Sequence, residues 1–107
     1  MTPDLLSDVQ TEVTRVVDRL RSMPLARLSA PWQDYPSMAA GARALAQRLA
    51  DRAALLTGWP VREVPDVGDA AVGDQVAVTA ADLLALAPPD AVLAEVGTDL
   101  REYRLSL

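Results

Sequence analysis

The chain has 107 residues, of which half are apolar and about a quarter charged, and its net charge is −5. These values are typical of a single globular domain, here residues 1–107, and they exclude an intrinsically disordered chain. No apolar run approaches the roughly 20 residues that span a bilayer, and the acidic balance disfavours nucleic acid and anionic membranes as partners.

The residue types that are missing narrow the chemistry further. The sequence has no Cys, His or Lys, so it offers no thiolate, no imidazole base and no amine for a Schiff base. Phe, Ile and Asn are also absent and all ten basic residues are Arg, which indicates a high-GC bacterial genome. Residues 1–10 lack the basic and apolar regions of a signal peptide, so we expect a cytoplasmic protein. No residue pattern calls for a cofactor.

The first predicted helix covers residues 3–23. Its apolar residues recur in alternating steps of three and four, a heptad seam that fits no strand: Leu6, Val9, Val13, Val16, Leu20 and Met23. Thr2 or Pro3 is expected to begin this helix, with Asp4 in its first turn, and Pro24 is expected to end it. Leu5 and Val17 widen the stripe, so we expect the helix to face more than one neighbour.

Residues 24–36 are predicted to form an ordered loop. Three prolines in this segment exclude a long helix. Leu25, Leu28 and Trp32 are too apolar for a free linker, and we expect the loop to lie over the helices with its aromatic residues as anchors.

The second predicted helix covers residues 37–57. Ser37 is a suitable N-cap, and Gly58 suits the left-handed position after the last turn. Trp59 is expected to fold back on that turn. Residues 59–68 contain two prolines and one glycine, so we predict a second extended connection whose valines are available to dock.

Residues 69–87 leave a choice between one helix and a short strand, Val76–Val78, followed by a helix that begins at Thr79. If Thr79 is counted in the series, the apolar residues keep helical spacing across the whole segment, which favours one helix. Thr79 and Asp82 together fit a capping box, which favours a helix that begins at Thr79. A strand of three residues would have no partner for its backbone groups. We therefore predict a helix over 69–87, continuous or kinked near Thr79.

The last predicted helix covers residues 89–104, with Pro89 and Asp90 in its first turn. Beyond it, alternating apolar residues leave an extended tail as an alternative. The four helices predict an all-α protein, either a four-helix bundle or a related helical array.

No motif identifies a reaction. The carboxylates of Glu95, Asp99 and Glu102 share one helix face and could bind a divalent cation, but a solvated face is the better explanation. Arg15, Arg19 and Arg21 form the most basic stretch and are a weak candidate for contact with an anion. Acidic residues alternate with them, which favours local ion pairs instead.

The pattern therefore favours a non-enzymatic protein–protein interaction module. Surplus apolar residues on the first helix and the following loop form the candidate interaction surface: Leu5, Val17, Leu25, Leu28 and Trp32. We expect this surface to bind a second copy of the chain, as a homodimer, or another protein. The alternative is a small ligand- or metal-binding enzyme that uses carboxylates and arginines in a pocket between helices.

Overall fold

A computed structural model describes residues 4–107, and its regular secondary structure is entirely helical. The five helices are α1 (Leu5–Arg21), α2 (Leu25–Leu28), α3 (Met38–Thr57), α4 (Val72–Ala85) and α5 (Asp90–Ser106), and a 3₁₀ turn, Asp69–Ala71, leads into α4. Within residues 4–107 there is no strand, only an isolated bridge between Trp32 and Tyr35. The prediction of an all-α helical array is therefore confirmed.

Local capping groups determine where α1 begins and where α3 begins and ends. Asp4 is the N-cap of α1, since its Oδ1 accepts a hydrogen bond from the Ser7 amide at 3.0 Å. The predicted start at Thr2 or Pro3 lies outside the described residues. Ser37 caps α3 as predicted, by accepting a bond from the Ala40 amide at 3.0 Å, and Gly58 ends that helix with φ of 72°. These bonds satisfy backbone groups that have no partner within the helix.

The segment Val76–Val78 lies inside α4, which runs unbroken from Val72 to Ala85. The Thr79 hydroxyl donates to the carbonyl of Gln75 at 2.8 Å, one turn earlier, so Thr79 belongs to the helix interior and does not cap a new helix. Gly73 has a packing role in α4: a Cβ at this position would lie 3.1 Å from Cγ of Arg21 and 3.4 Å from Cβ of Leu20. A glycine thus lets α4 approach α1 closely.

Other helix boundaries differ from the prediction. The loop 24–36 contains the one-turn helix α2, for which Pro24 is the N-cap. The helix predicted to reach residue 87 ends at Ala85, and Ala87 adopts a positive φ of 49° just before Pro88. In contrast, α5 continues to Ser106, so the extended tail is wrong. The alternating apolar residues there include buried Tyr103 and exposed Leu105.

The hydrophobic core draws on all of the long helices. Helix α1 packs against both α4 and α5, and α3 packs against α4. The prediction that the first helix faces more than one neighbour is thus confirmed. Fully buried side chains at the centre of the core include Val16, Leu20, Leu45, Leu49, Val76, Leu83 and Leu100. None of the helices in the described residues has the length and apolar character needed to cross a membrane.

Replacing Leu49 with alanine tests the position of the core. Leu49 is completely buried on α3, so Leu49→Ala is expected to lower the free energy of unfolding by about 2–5 kcal/mol. Leu55 lies on the same helix and is 83% exposed, so Leu55→Ala is expected to stay within about 0.5 kcal/mol of the wild type. Urea unfolding followed by far-UV circular dichroism measures both. Equal losses for the two variants would contradict this core.

An ion pair joins the N-terminal half of α1 to the end of α5. Nε of Arg104 donates to Oε2 of Glu12 at 2.6 Å, and Nη2 donates to Oε1 at 3.2 Å. The hydrogen bond from Arg104 lowers the pKa of Glu12 below its ordinary value of 4.5, against an opposing effect of burial. The ionised form of Glu12 is therefore favoured by folding.

The lowered pKa of Glu12 makes its contribution to stability depend on pH. Because the folded-state pKa is depressed, the contribution is fully present above the ordinary value of 4.5 and is lost as the pH falls through the lower folded-state value. Urea unfolding of the wild type and Glu12→Gln is expected to show the larger difference in the free energy of unfolding at neutral pH and a much smaller one at about pH 3. A difference independent of pH would show that the ion pair does not stabilise the fold.

Candidate functional site

A large open groove lies between α3, α4 and the connection of residues 58–68. Its volume is about 1020 Å³, just above the range of roughly 300–1,000 Å³ for ligand pockets. Helix α3 contributes Ala50, Ala53 and Ala54, which are too small to fill it. We call this concavity the α3–α4 groove.

Exposed apolar side chains are concentrated at the α3–α4 groove. Ten large apolar side chains are exposed within residues 4–107, and four of them line this groove: Trp59, Val67, Val78 and Leu86. The Trp59 side chain is 71% exposed. Monomeric proteins seldom leave large contiguous apolar patches uncovered without a function, so this groove is the main candidate for a functional site.

Two glutamines hold the connection that forms one wall of the groove. Nε2 of Gln47 donates to the carbonyl of Arg62 at 2.9 Å, and its Oε1 accepts a bond from the Val64 amide at 2.7 Å. On the opposite side, Nε2 of Gln75 donates to the carbonyl of Pro65 at 2.7 Å. Side chains from α3 and α4 thus satisfy backbone groups of an extended segment that has no regular secondary structure.

An arginine of α3 anchors the end of the same connection. Nη2 of Arg43 lies 3.1 Å from Oδ1 of Asp66 and 3.8 Å from Oδ1 of Asp69, in contacts that are ion pairs without hydrogen-bond geometry. Asp69 also accepts a hydrogen bond from the Ser29 hydroxyl at 2.7 Å. These acidic residues therefore fix the connection and the turn before α4.

The charges that line the α3–α4 groove are mainly negative. Among residues 4–107, Glu63, Asp74 and Asp82 line it together with a single cation, Arg62. Asp74 pairs with Arg21 of α1 at 2.7 Å. Glu63 and Asp82 are exposed and form no ion pair within residues 4–107.

The five residues predicted as an interaction surface do not form one exposed patch. Val17 and Leu28 belong to the buried core, and Leu5 and Trp32 are half-buried against it. Leu25 alone of the five is well exposed. A free apolar surface, as expected from the sequence, is therefore not present here, because α4 and α5 cover α1 on two sides and the turn of α2 directs Leu28 inward.

The three arginines predicted as anion contacts have separate surroundings. Arg15 lies 3.7 Å from Glu12 on its own helix, and Arg21 pairs with Asp74 on α4. Arg19 is exposed and forms no ion pair in the described part of the chain. Two of these three guanidinium groups are therefore engaged with carboxylates.

Two carboxylates of the acidic face on α5 pair with α3. Oδ2 and Oδ1 of Asp99 accept bonds from Nε and Nη2 of Arg48 at 3.1 and 3.2 Å, and Glu95 accepts one from Arg52 at 2.8 Å. Burial is the largest single effect and lowers the pKa of Arg48, but the hydrogen bond and charge of Asp99, together with Tyr35, raise it, so the net pKa is above the ordinary value. Both carboxylates thus join α5 to α3, which the expectation of a solvated face did not include, although 65% of the Glu95 side chain remains exposed. Within residues 4–107, no group of three or more acidic side chains converges as a metal site would require.

Three aromatic side chains pack around a second, smaller hollow of about 250 Å³. Trp32 stacks on Tyr35 with ring centroids 5.9 Å apart, and it meets Tyr103 edge-on at 5.6 Å. A Cβ at Gly41 would lie 2.6 Å from the Trp32 ring, so the glycine is required for this packing. Burial raises the pKa of Tyr103 far above its ordinary value. We assign this cluster to packing between the loop, α3 and α5.

The α3–α4 groove was not recognised from the sequence, because Trp59 was expected to pack against the end of α3. Two features of the sequence point toward this groove. The connection carries several valines, and α4 has more apolar residues than a single core-facing stripe needs. Neither indicates by itself that the two sets lie on the same face.

Comparison with known proteins gives no further guide to this site. No family model, curated protein or solved structure matches the chain.

Replacing Gln47 tests how the groove wall is held. Gln47→Ala removes both bonds to the connection and leaves the Val64 amide without a protein partner, so we expect a loss of about 1–3 kcal/mol in the free energy of unfolding. Amide hydrogen exchange is expected to accelerate at Val64 more than at the centre of α3. Gln10→Ala, at an exposed position on α1, is the control. Unchanged exchange at Val64 would show that Gln47 does not hold the wall.

Proposed function

We propose that this protein is a non-enzymatic helical interaction module that binds another protein in the α3–α4 groove. The concentration of exposed apolar side chains in one groove carries the proposal. A cytoplasmic location, as expected from the sequence, is part of the same proposal. Because Gln47 and Gln75 fix the connection, one wall is ordered before a partner arrives, which reduces the entropy lost on binding.

The groove suits a protein segment better than a small molecule. A small ligand would occupy the space beside the α3 alanines and leave much of Trp59, Val67 and Val78 in water. A helix, with a diameter of about 10–12 Å including side chains, would contact both α4 and the connection. An apolar helix face seated in a hydrophobic groove is a common mode of peptide recognition.

The alternative of a small enzyme has less support because its charged groups are engaged with one another. The arginines that face carboxylates between helices, Arg48, Arg52 and Arg104, form ion pairs. A homodimer through α1 also has less support, since Val17 and Leu28, which were expected to need a covering partner, are already buried within one chain. The α3–α4 groove is the larger concentration of apolar side chains that remains open to a second copy.

Selection from a displayed library of helical peptides tests the proposed function. Enriched peptides are expected to carry apolar residues at positions i, i+3 or i+4, and i+7. Val78→Asp places a charge in the groove and is expected to weaken their binding about tenfold or more. Val78 is 59% exposed, so the variant should fold.

Leu105→Asp is the matched control, because Leu105 is 67% exposed on α5 and lies outside the groove lining. It is expected to bind the peptides as the wild type does. Enriched peptides that bind Val78→Asp with full affinity would contradict the proposal. Sedimentation equilibrium at micromolar concentration is expected to give the 11.4 kDa monomer. A dimer dispersed by Val78→Asp would identify a second copy as the occupant.

A further inference from the structure

We infer that the occupant of the α3–α4 groove is an amphipathic helix of a partner protein, with basic residues flanking its apolar seam. The inference rests on the proposed function and adds the charge pattern of the partner. It follows from the order of acidic and apolar residues along the groove.

One wall of the groove alternates carboxylates with apolar side chains. Asp74, Val78, Asp82 and Leu86 follow one another at four-residue intervals on α4 and at its end, and all four line the groove. Residues four apart lie on the same side of a helix. At about 1.5 Å per residue the series spans about 18 Å, enough for three turns of a partner helix.

The opposite wall adds to the negative potential. Glu63 lies in the connection and, like Asp82, is exposed without an ion pair in residues 4–107. Asp74 contacts Arg21, but 69% of its side chain remains exposed. Arg62 is the one cation that lines the groove within the described residues. Two unpaired carboxylates, a third that is shared with Arg21, and one guanidinium group therefore surround an apolar surface.

This arrangement specifies a partner. Asp74 and Asp82 are separated by two helical turns, or about 12 Å along the axis, so complementary Lys or Arg residues would be seven or eight positions apart on the partner. The apolar residues between them would contact Val78 and the alanines of α3. Apolar contact would supply most of the affinity, while the charges would select the partner and orient it.

A second copy of this chain fits the groove less well. It carries a net charge of −5 and contains no lysine. Many of its arginines are held in ion pairs between its own helices. Facing copies would also bring Glu63 and Asp82 near the same carboxylates, and like charges at an interface are unfavourable.

Two synthetic peptides of about 18 residues test the inference, since a helix of this length, about 27 Å, extends beyond the series on α4 by almost a turn at each end. Both carry the same leucine seam and a staple that holds the helix, and they differ only in Lys or Glu flanks. Fluorescence anisotropy at low ionic strength is expected to show tighter binding of the Lys peptide. Asp82→Arg should weaken the Lys peptide about 3- to 10-fold and strengthen the Glu peptide.

Asp18→Arg is the matched control, because Asp18 is likewise an exposed helical aspartate, on α1 and outside the groove. It should leave both affinities nearly unchanged. Equal affinity of the two peptides, with both lost in Val78→Asp, would overturn the basic partner while the groove remained the binding site. Failure of both peptides to bind the wild type, or full binding to Val78→Asp, would overturn the helix as the occupant of this groove.

Discussion

The small side chains of α3 are the constraint on which the arrangement of the other helices depends. Toward its N-terminal end, Ala39, Ala42 and Ala46 are completely buried, so neighbouring elements pack closely against the helix. Toward its C-terminal end, Ala50 and Ala53 are only partly covered and line the α3–α4 groove. Because alanine ends at Cβ, the same residue type permits tight packing at one end and leaves an unfilled space at the other.

Arginine–carboxylate pairs set the register of the helices around that core. Such pairs connect α3 to α5, α5 to α1 and α1 to α4. Pairs that remain partly open to water stabilise a fold only weakly, because the solvent screens their charges. Their main effect is geometric, since Arg48 and Arg104 each make two parallel bonds to a single carboxylate. They also leave the unpaired carboxylates of the groove, Glu63 and Asp82, as its distinctive charges.

The connection 58–68 joins these two features to the candidate site. Without regular structure, it needs partners for its backbone groups, and Gln47 and Gln75 supply them from two different helices. The polar contacts bring Val67 to the groove while leaving it exposed. The apolar surface of the groove stays open because the hydrogen bonds that order the connection lie beside this surface and do not cover it.

The sequence by itself determined the helices and many of their ends. The spacing of apolar residues, Pro24, Ser37 and Gly58 act within a few residues of the positions that they specify, so their effects can be recognised locally. The same spacing indicated that Val76–Val78 is helical. The capping box at Thr79 is an equally local pattern, and it indicated instead that a helix begins there.

Only the tertiary structure decided which apolar residues are covered. Val17 and Leu28 were expected on the surface and are buried, while Trp59 was expected to pack and is exposed. Similarly, Glu95 and Asp99 resembled a solvated face until α3 placed Arg52 and Arg48 opposite them. Burial and ion pairing depend on residues that lie 40 or more positions away, such as Arg48 and Asp99, which are 51 apart. No local pattern contains that information, since it arises only when the helices pack.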